Sequence, residues 1–279
     1  MGHNSRKERA LTLQKFNAQV IVEYVLDEIE KDETKVGVLL CEGDENSIDK
    51  MIYFAVFPNL VIVPCGSCCN IMRSLNRIKK ILALNKIYAF GIIDRDALSK
   101  SEIKKLRREK GVYTTKLPFI ENIACAPEVI RYVCEALNLD YNLVIDKIGE
   151  QLIKILWQKL KEALPINWGI EKNERIGNLQ IGAFTNRRSI EKIVDKDTIL
   201  YTYRSKIIVS IVANAMKMHR KEEYYAEIKR MLEDEKHRAK LVKVMSTFIP
   251  NMLLYDLEEF WRNIWEKNNK ALFLQKLQI

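Results

Sequence analysis

Between residues 36 and 117 the chain alternates two hydrophobic patterns: short, wholly apolar runs, and longer stretches with an apolar residue every third or fourth position. The short runs, at 36–41, 60–63, 87–93 and 112–117, are rich in Val, Ile and Leu and bounded by turn residues, as expected of strands buried on both faces. The periodic stretches predict helices over 47–57, with Asn46 or Ser47 as N-cap, and over 70–84, with Ile71, Leu75, Ile78 and Leu82 on one face. A third, over 101–110, is short and strongly basic (EIKKLRREK). Before the first strand, Phe16, Val20, Val22, Tyr24, Val25 and Ile29 predict an amphipathic helix over 11–30, stopped by the polar Lys31-Asp32-Glu33-Thr34. Strands alternating with helices at this spacing predict an α/β fold with a mostly parallel sheet flanked by helices.

After Pro127 the short apolar runs stop. Helical periodicity covers 129–137, 141–164, 205–217, 222–248 and 255–276, and residues 165–197 are expected to be loops with little regular structure. The expected organisation is an N-terminal helix (1–34), an α/β domain (35–127) and a mainly helical C-terminal region (128–279). With several amphipathic helices and few chemically distinctive residues, that last region is expected to serve dimerisation or partner docking.

Charge narrows the partners. The 279 residues carry a net charge of +9, spread along the chain: 20 Lys/Arg against 16 Asp/Glu up to residue 127 (+4), and 26 against 21 after it (+5). A distributed basic surface suits nucleic acid, and it also suits a merely basic soluble protein. The charged N-terminus lacks an apolar core, so no signal peptide is expected. Nor is there a run of the roughly 18 apolar residues that would span a bilayer. A cytoplasmic protein with reduced thiols is expected, with no membrane partner. Of the six cysteines, Cys65 and Cys68 have half of a zinc-site spacing, but no second half follows, which favours buried structural thiols. His219 and His237 fall on charged helix faces and are expected at the surface. No Ser-His-Asp order and no phosphate-binding glycine loop is found, so the chain is not expected to hydrolyse ATP by itself.

The chemistry concentrates in acids. Ligands of open α/β sheets sit at the carboxyl ends of strands. Glu42 directly follows the first predicted strand, and Asp94 and Asp96 follow the third. Residues i and i+2 of an extended chain point the same way, so the two aspartates can converge on one ion. Glu121 follows the fourth strand within a few residues and can join them. Clustered carboxylates repel one another unless a cation is present. Mg2+ is the natural choice, with Mn2+ as a substitute, because it takes oxygen ligands and leaves room for water and phosphate. There it would polarise a phosphoryl oxygen and acidify an attacking water. The plainer alternative is a set of solvated strand-end acids contributing little to the core. Lys104, Lys105, Arg107, Arg108 and Lys110 lie just beyond Asp96, either lining the approach of a nucleic-acid backbone or forming an ordinary solvated face. Arg95, between the two aspartates, is expected to pair with a neighbouring acid or to contact phosphate. Trp157, Trp261 and Trp265 lie in amphipathic stretches and are expected to pack.

Two of these segments carry a resemblance. CEGDEN (41–46) after one apolar strand and GIIDRD (91–96) after another resemble the two signature motifs of the TOPRIM domain, a Glu and an Asp-x-Asp pair, at the family's spacing. That domain is shared by topoisomerases, bacterial primases and OLD-family nucleases. VIVPCGSCCNI (61–71), FIENIACAPEVI (119–130) and YRSKIIVSIVAN (203–214) resemble further elements of an OLD-like TOPRIM group. This group includes the effector nuclease of the PARIS anti-phage system, which works with an ABC-type ATPase. The resemblance covers about residues 36–215.

It implies Glu42 as metal ligand or general acid/base, Asp94 and Asp96 as metal ligands, and Glu121 as the acid of a later Glu-Asn element. Lys206 matches one lysine of a Lys-Gly-Lys element, whose other two positions are Arg204 and Ser205 here. Asn46 stands where relatives often carry an acid, and Ser67-Cys68-Cys69 where they favour Gly-Lys, which removes a basic residue near the site.

The resemblance implies a Mg2+-dependent endonuclease in anti-phage defence. It would be active as a homodimer, act with an ABC-type ATPase, and cleave cellular RNA such as tRNA, with DNA as second choice. The alternatives are a DNA endonuclease of the OLD type and a non-catalytic regulatory subunit keeping the fold, the latter disfavoured by retention of all three motif acids. A primase or topoisomerase fragment lacks its companion modules.

Overall fold

The four apolar runs form one sheet. The computed structural model describes residues 18–95, 98–163, 175–176, 179–180, 200 and 207–250. Strands β1 (Gly37–Cys41), β2 (Leu60–Pro64), β3 (Tyr88–Ile93) and β4 (Val112–Thr114) lie in the order β2-β1-β3-β4, every pair parallel. Gly37 lies opposite both Leu60 and Tyr88, so the three longer strands start level and their carboxyl ends share one edge. All residues of β1 and β3 are buried, which is why these strands are apolar throughout rather than alternating.

Alternation along β1 sorts the helices into two layers. Val38 and Leu40 pack with Ile21 and Val25 of α1 (Ala18–Lys31) and with Ile71, Leu75, Ile78 and Leu82 of α3 (Cys68–Leu84). Leu39 and Cys41 face the other way, against α2 (Ile48–Val56) and the helices that follow β4. These are α5 (Ile120–Ala124), α6 (Pro127–Ala136), α7 (Tyr141–Ala163), α8 (Ile208–Ala215), α9 (Lys221–Glu233) and α10 (Glu235–Thr247). One continuous core runs from Leu39 in the sheet to Met245 in α10. Two buried hydrogen bonds cross it: Tyr224 Oη donates to the Ala124 carbonyl at 2.8 Å, and Asn122 Nδ2 to the Leu200 carbonyl at 2.9 Å.

The fold is thus α/β, a four-stranded all-parallel sheet flanked by helices, and from Pro127 on the regular elements among the described residues are helices except for a two-residue ladder pairing Arg175–Ile176 with Leu179–Gln180. Ser47, not Asn46, caps α2, its hydroxyl accepting from Lys50 N.

Three expectations need correction. The helix expected over 222–248 breaks at Asp234, whose backbone is extended and whose carboxylate accepts Lys236 N at 2.9 Å, starting a new helix. The fourth strand ends at Thr114, and Thr115 turns away to donate its hydroxyl to the Leu117 carbonyl. The basic helix α4 (Lys100–Lys105) widens into a π-turn (Leu106–Lys110) that ends at Gly111, with φ +63°. The expected helix over 255–276, most of the loop over 165–197, and residues 11–17 lie outside the described residues. No helix among the described residues is long and apolar enough to cross a membrane.

Candidate functional site

β1 and β3 are neighbours, so Glu42, one residue past β1, and Asp94, one past β3, stand at the same edge of the sheet. Glu42 is partly exposed, and the turn after it is fixed from two sides. Gly43 has φ +79°, and a Cβ there would lie 2.4 Å from Ser47 Oγ. Gly43 and Gly66 also exchange backbone hydrogen bonds at 2.8 and 3.4 Å, joining the loops that leave β1 and β2.

Asp94 is held by a different element. Its Oδ1 accepts the backbone N–H of Ile120 at 3.0 Å, at the start of α5. The Arg95 guanidinium donates to the Lys116 carbonyl at 3.0 Å, and its backbone N–H to Thr115 Oγ1 at 3.2 Å. It thereby ties the loop after β3 to the one after β4. Asp96 lies outside the described residues.

Two phenols, Tyr53 buried and Tyr225 partly buried, mark where negative charge collects. Tyr53, 1% exposed, has its pKa pushed well above the usual value by burial first, then by Asp49, Asp94, Cys41 and Glu42. Tyr225 is pushed up by burial, then by Glu121, Cys125 and Asp49. Asp49, which sequence reasoning did not single out, adds to the negative potential at both phenols. The available signal was its place in the first turn of α2, seven residues after Glu42, where an acid is also explained by the helix dipole alone. Glu121, on α5, is 8% exposed, and beside it burial chiefly, then its charge, push the Cys125 thiol up.

Among the described residues no group of three or more His, Cys, Asp or Glu stands close enough to hold a metal ion. Glu42 and Asp94 are hard oxygen donors on adjacent strand ends, a set that suits Mg2+, which one or two carboxylates commonly hold with water completing the shell. The thiols do not make a metal site. Cys41, Cys65, Cys125 and Cys134 are buried free thiols, and burial pushes Cys65 up to about 12 and, with help from Asp140 and Glu135, Cys134 up to about 11.

The basic residues are differently placed. α4 and its π-turn connect β3 to β4, whose first residue, Val112, pairs with Gly91 two residues before the end of β3. Lys104, Lys105 and Arg108 are exposed, Arg107 lies over the Tyr113 ring at 5.5 Å, and Lys110 Nζ reaches Met72 Sδ at 3.9 Å. Lys206 lies outside the described residues, as do the side chains of Trp157, Trp261 and Trp265. His219 is exposed, and His237 Nδ1 lies 2.8 Å from Asp234 Oδ2.

No family model, curated protein or solved structure matches the chain.

Proposed function

We propose that the chain is a metal-dependent nuclease built on a TOPRIM-type sheet. The observation that carries this reading is the placement of Glu42 and Asp94 just past the carboxyl ends of adjacent parallel strands, with Asp94 Oδ1 accepting the Ile120 N–H. Glu42 and Asp94, with Asp96 two residues on, would hold Mg2+ or Mn2+, which when bound supplies a polarised phosphoryl oxygen and a more acidic water. Glu42, partly open to solvent, would serve as the acid that accepts a proton from an attacking water. Asp94 contributes by staying put: the Ile120 N–H fixes its Oδ1 at the end of β3. Glu121 and Asp49 add negative potential that would favour a cation.

The resemblance of the two motifs extends the proposal to anti-phage defence, with an ABC-type ATPase as partner and RNA such as tRNA ahead of DNA as substrate. Incubating the purified chain with tRNA, single-stranded DNA and plasmid, in Mg2+, Mn2+ or EDTA, tests it. Metal-dependent cleavage of one of them is expected, and no cleavage of any would sink it.

A further inference from the structure

We infer that the substrate enters as a single strand through a cleft between α2 and the α9–α10 pair; the inference rests on the nuclease reading above. The cleft measures about 680 Å³, within the range of about 300–1,000 Å³ typical of sites that take a small molecule or a nucleotide. One end of it is lined by Glu45, Asn46 and Ser47, in the loop that follows Glu42, so that end borders the carboxyl edge. Lys50, Lys229 and Arg238 line it, with Phe54 and Leu232 among its apolar residues.

Each feature matches a part of a nucleic-acid strand. Phe54 is 54% exposed, with Lys35 Nζ 5.5 Å from its ring centre, so the exposed part of the ring offers an unpaired base an aromatic surface beside a cation. A duplex keeps its bases stacked on each other and offers none. The lining holds two acids, and both are engaged: Glu45 with Lys50, and Glu233 with Lys229 at 4.0 Å. The Lys229 pair is exposed and weak, so its lysine exchanges readily to a phosphate. Arg238 makes no ion pair with any described residue. An acidic protein segment would use the cations but would have no base for Phe54, so charge and aromatic surface together favour single-stranded nucleic acid. The basic helix α4, between β3 and β4, is then surface.

Binding of a fluorescein-labelled short single-stranded RNA to the full chain in EDTA, followed by anisotropy across salt concentrations, tests this apart from catalysis. The variants are Lys229→Glu with Arg238→Glu, Phe54→Ala, and Lys105→Glu with Arg108→Glu as comparator, each checked for wild-type circular dichroism. The cleft reversals are expected to weaken binding by about tenfold or more and to flatten the salt slope by about 0.7 per lost contact. Phe54→Ala is expected to weaken single-strand binding about fivefold or more and leave the slope unchanged. The comparator is expected to match wild type. The inference is overturned if only the comparator loses affinity, if a poly-glutamate of equal charge displaces the RNA as well as unlabelled strand does, or if wild type binds no strand. Binding that responds to the cleft variants while wild type shows no metal-dependent cleavage would remove the nuclease reading and leave the cleft standing.

Discussion

Asp94 Oδ1 accepts the backbone N–H of Ile120 at 3.0 Å, across 26 positions of chain. The bond joins the end of β3 to the helix that carries the buried Glu121 and Asn122, so an acid at the candidate centre is also a structural tie.

Asp94→Ala removes that acceptor and leaves an N–H without its partner at a partly buried position. A loss of about 1–3 kcal/mol in urea unfolding is expected. Asp94→Asn keeps an oxygen there and is expected to stay within about 1 kcal/mol of wild type. Both should abolish cleavage. Wild-type stability in Asp94→Ala would mean that Ile120 does not orient the carboxylate.

The turn after Glu42 is equally specific. At Gly43 a side chain would meet both a positive φ and the Ser47 hydroxyl that caps α2. Gly43→Ala is expected to cost about 1–3 kcal/mol and to lower activity beyond what the stability loss explains. Thermal unfolding beside cleavage rates measured well below the melting temperature checks this, and an unperturbed Gly43→Ala would contradict the geometry.

Tyr224→Phe removes a buried hydroxyl that donates to the Ala124 carbonyl at 2.8 Å. A loss of about 1–2 kcal/mol is expected, in a single unfolding transition because the core is continuous from the sheet to α10. Two separated transitions would show that the C-terminal helices fold apart from the sheet.

Thiol reactivity separates the six cysteines. Cys69 is exposed, Cys68 is half-buried with its pKa raised by burial and by Glu42, and the other four are buried. With Cys65 at about 12 and Cys134 at about 11, both stay protonated at pH 8 and should resist maleimide in the native state. Mass spectrometry should show Cys69 labelled first, Cys68 slowly, and all six only in denaturant. Native labelling of Cys65 as fast as Cys69 would contradict the burial.

Strands β1 to β3 were legible in the sequence because burial on both faces demands uninterrupted apolar runs, and Glu42 and Asp94 were legible because each directly follows one. Helix α5 was not, since five residues are too few to show a period. The break at Asp234 was hidden because apolar periodicity continues through it, while the cap depends on one carboxylate. The partner of Arg95 is a backbone carbonyl on another loop, which no side-chain pattern announces. Apolar helix faces after Pro127 signalled that something is covered, without naming the sheet face carrying Leu39 and Ile62 as what lies beneath.

A metal-dependent hydrolytic centre at Glu42 and Asp94 requires both the metal and the Glu42 carboxylate for cleavage. Its most direct measurement is cleavage of the preferred nucleic acid by wild type and Glu42→Gln, side by side in Mg2+ and in EDTA, with both proteins shown to be folded. Wild type is expected to cleave in Mg2+ and stop in EDTA, and Glu42→Gln to fall by about a hundredfold or more with its melting temperature unchanged. Full activity in folded Glu42→Gln, or cleavage indifferent to EDTA, would contradict it.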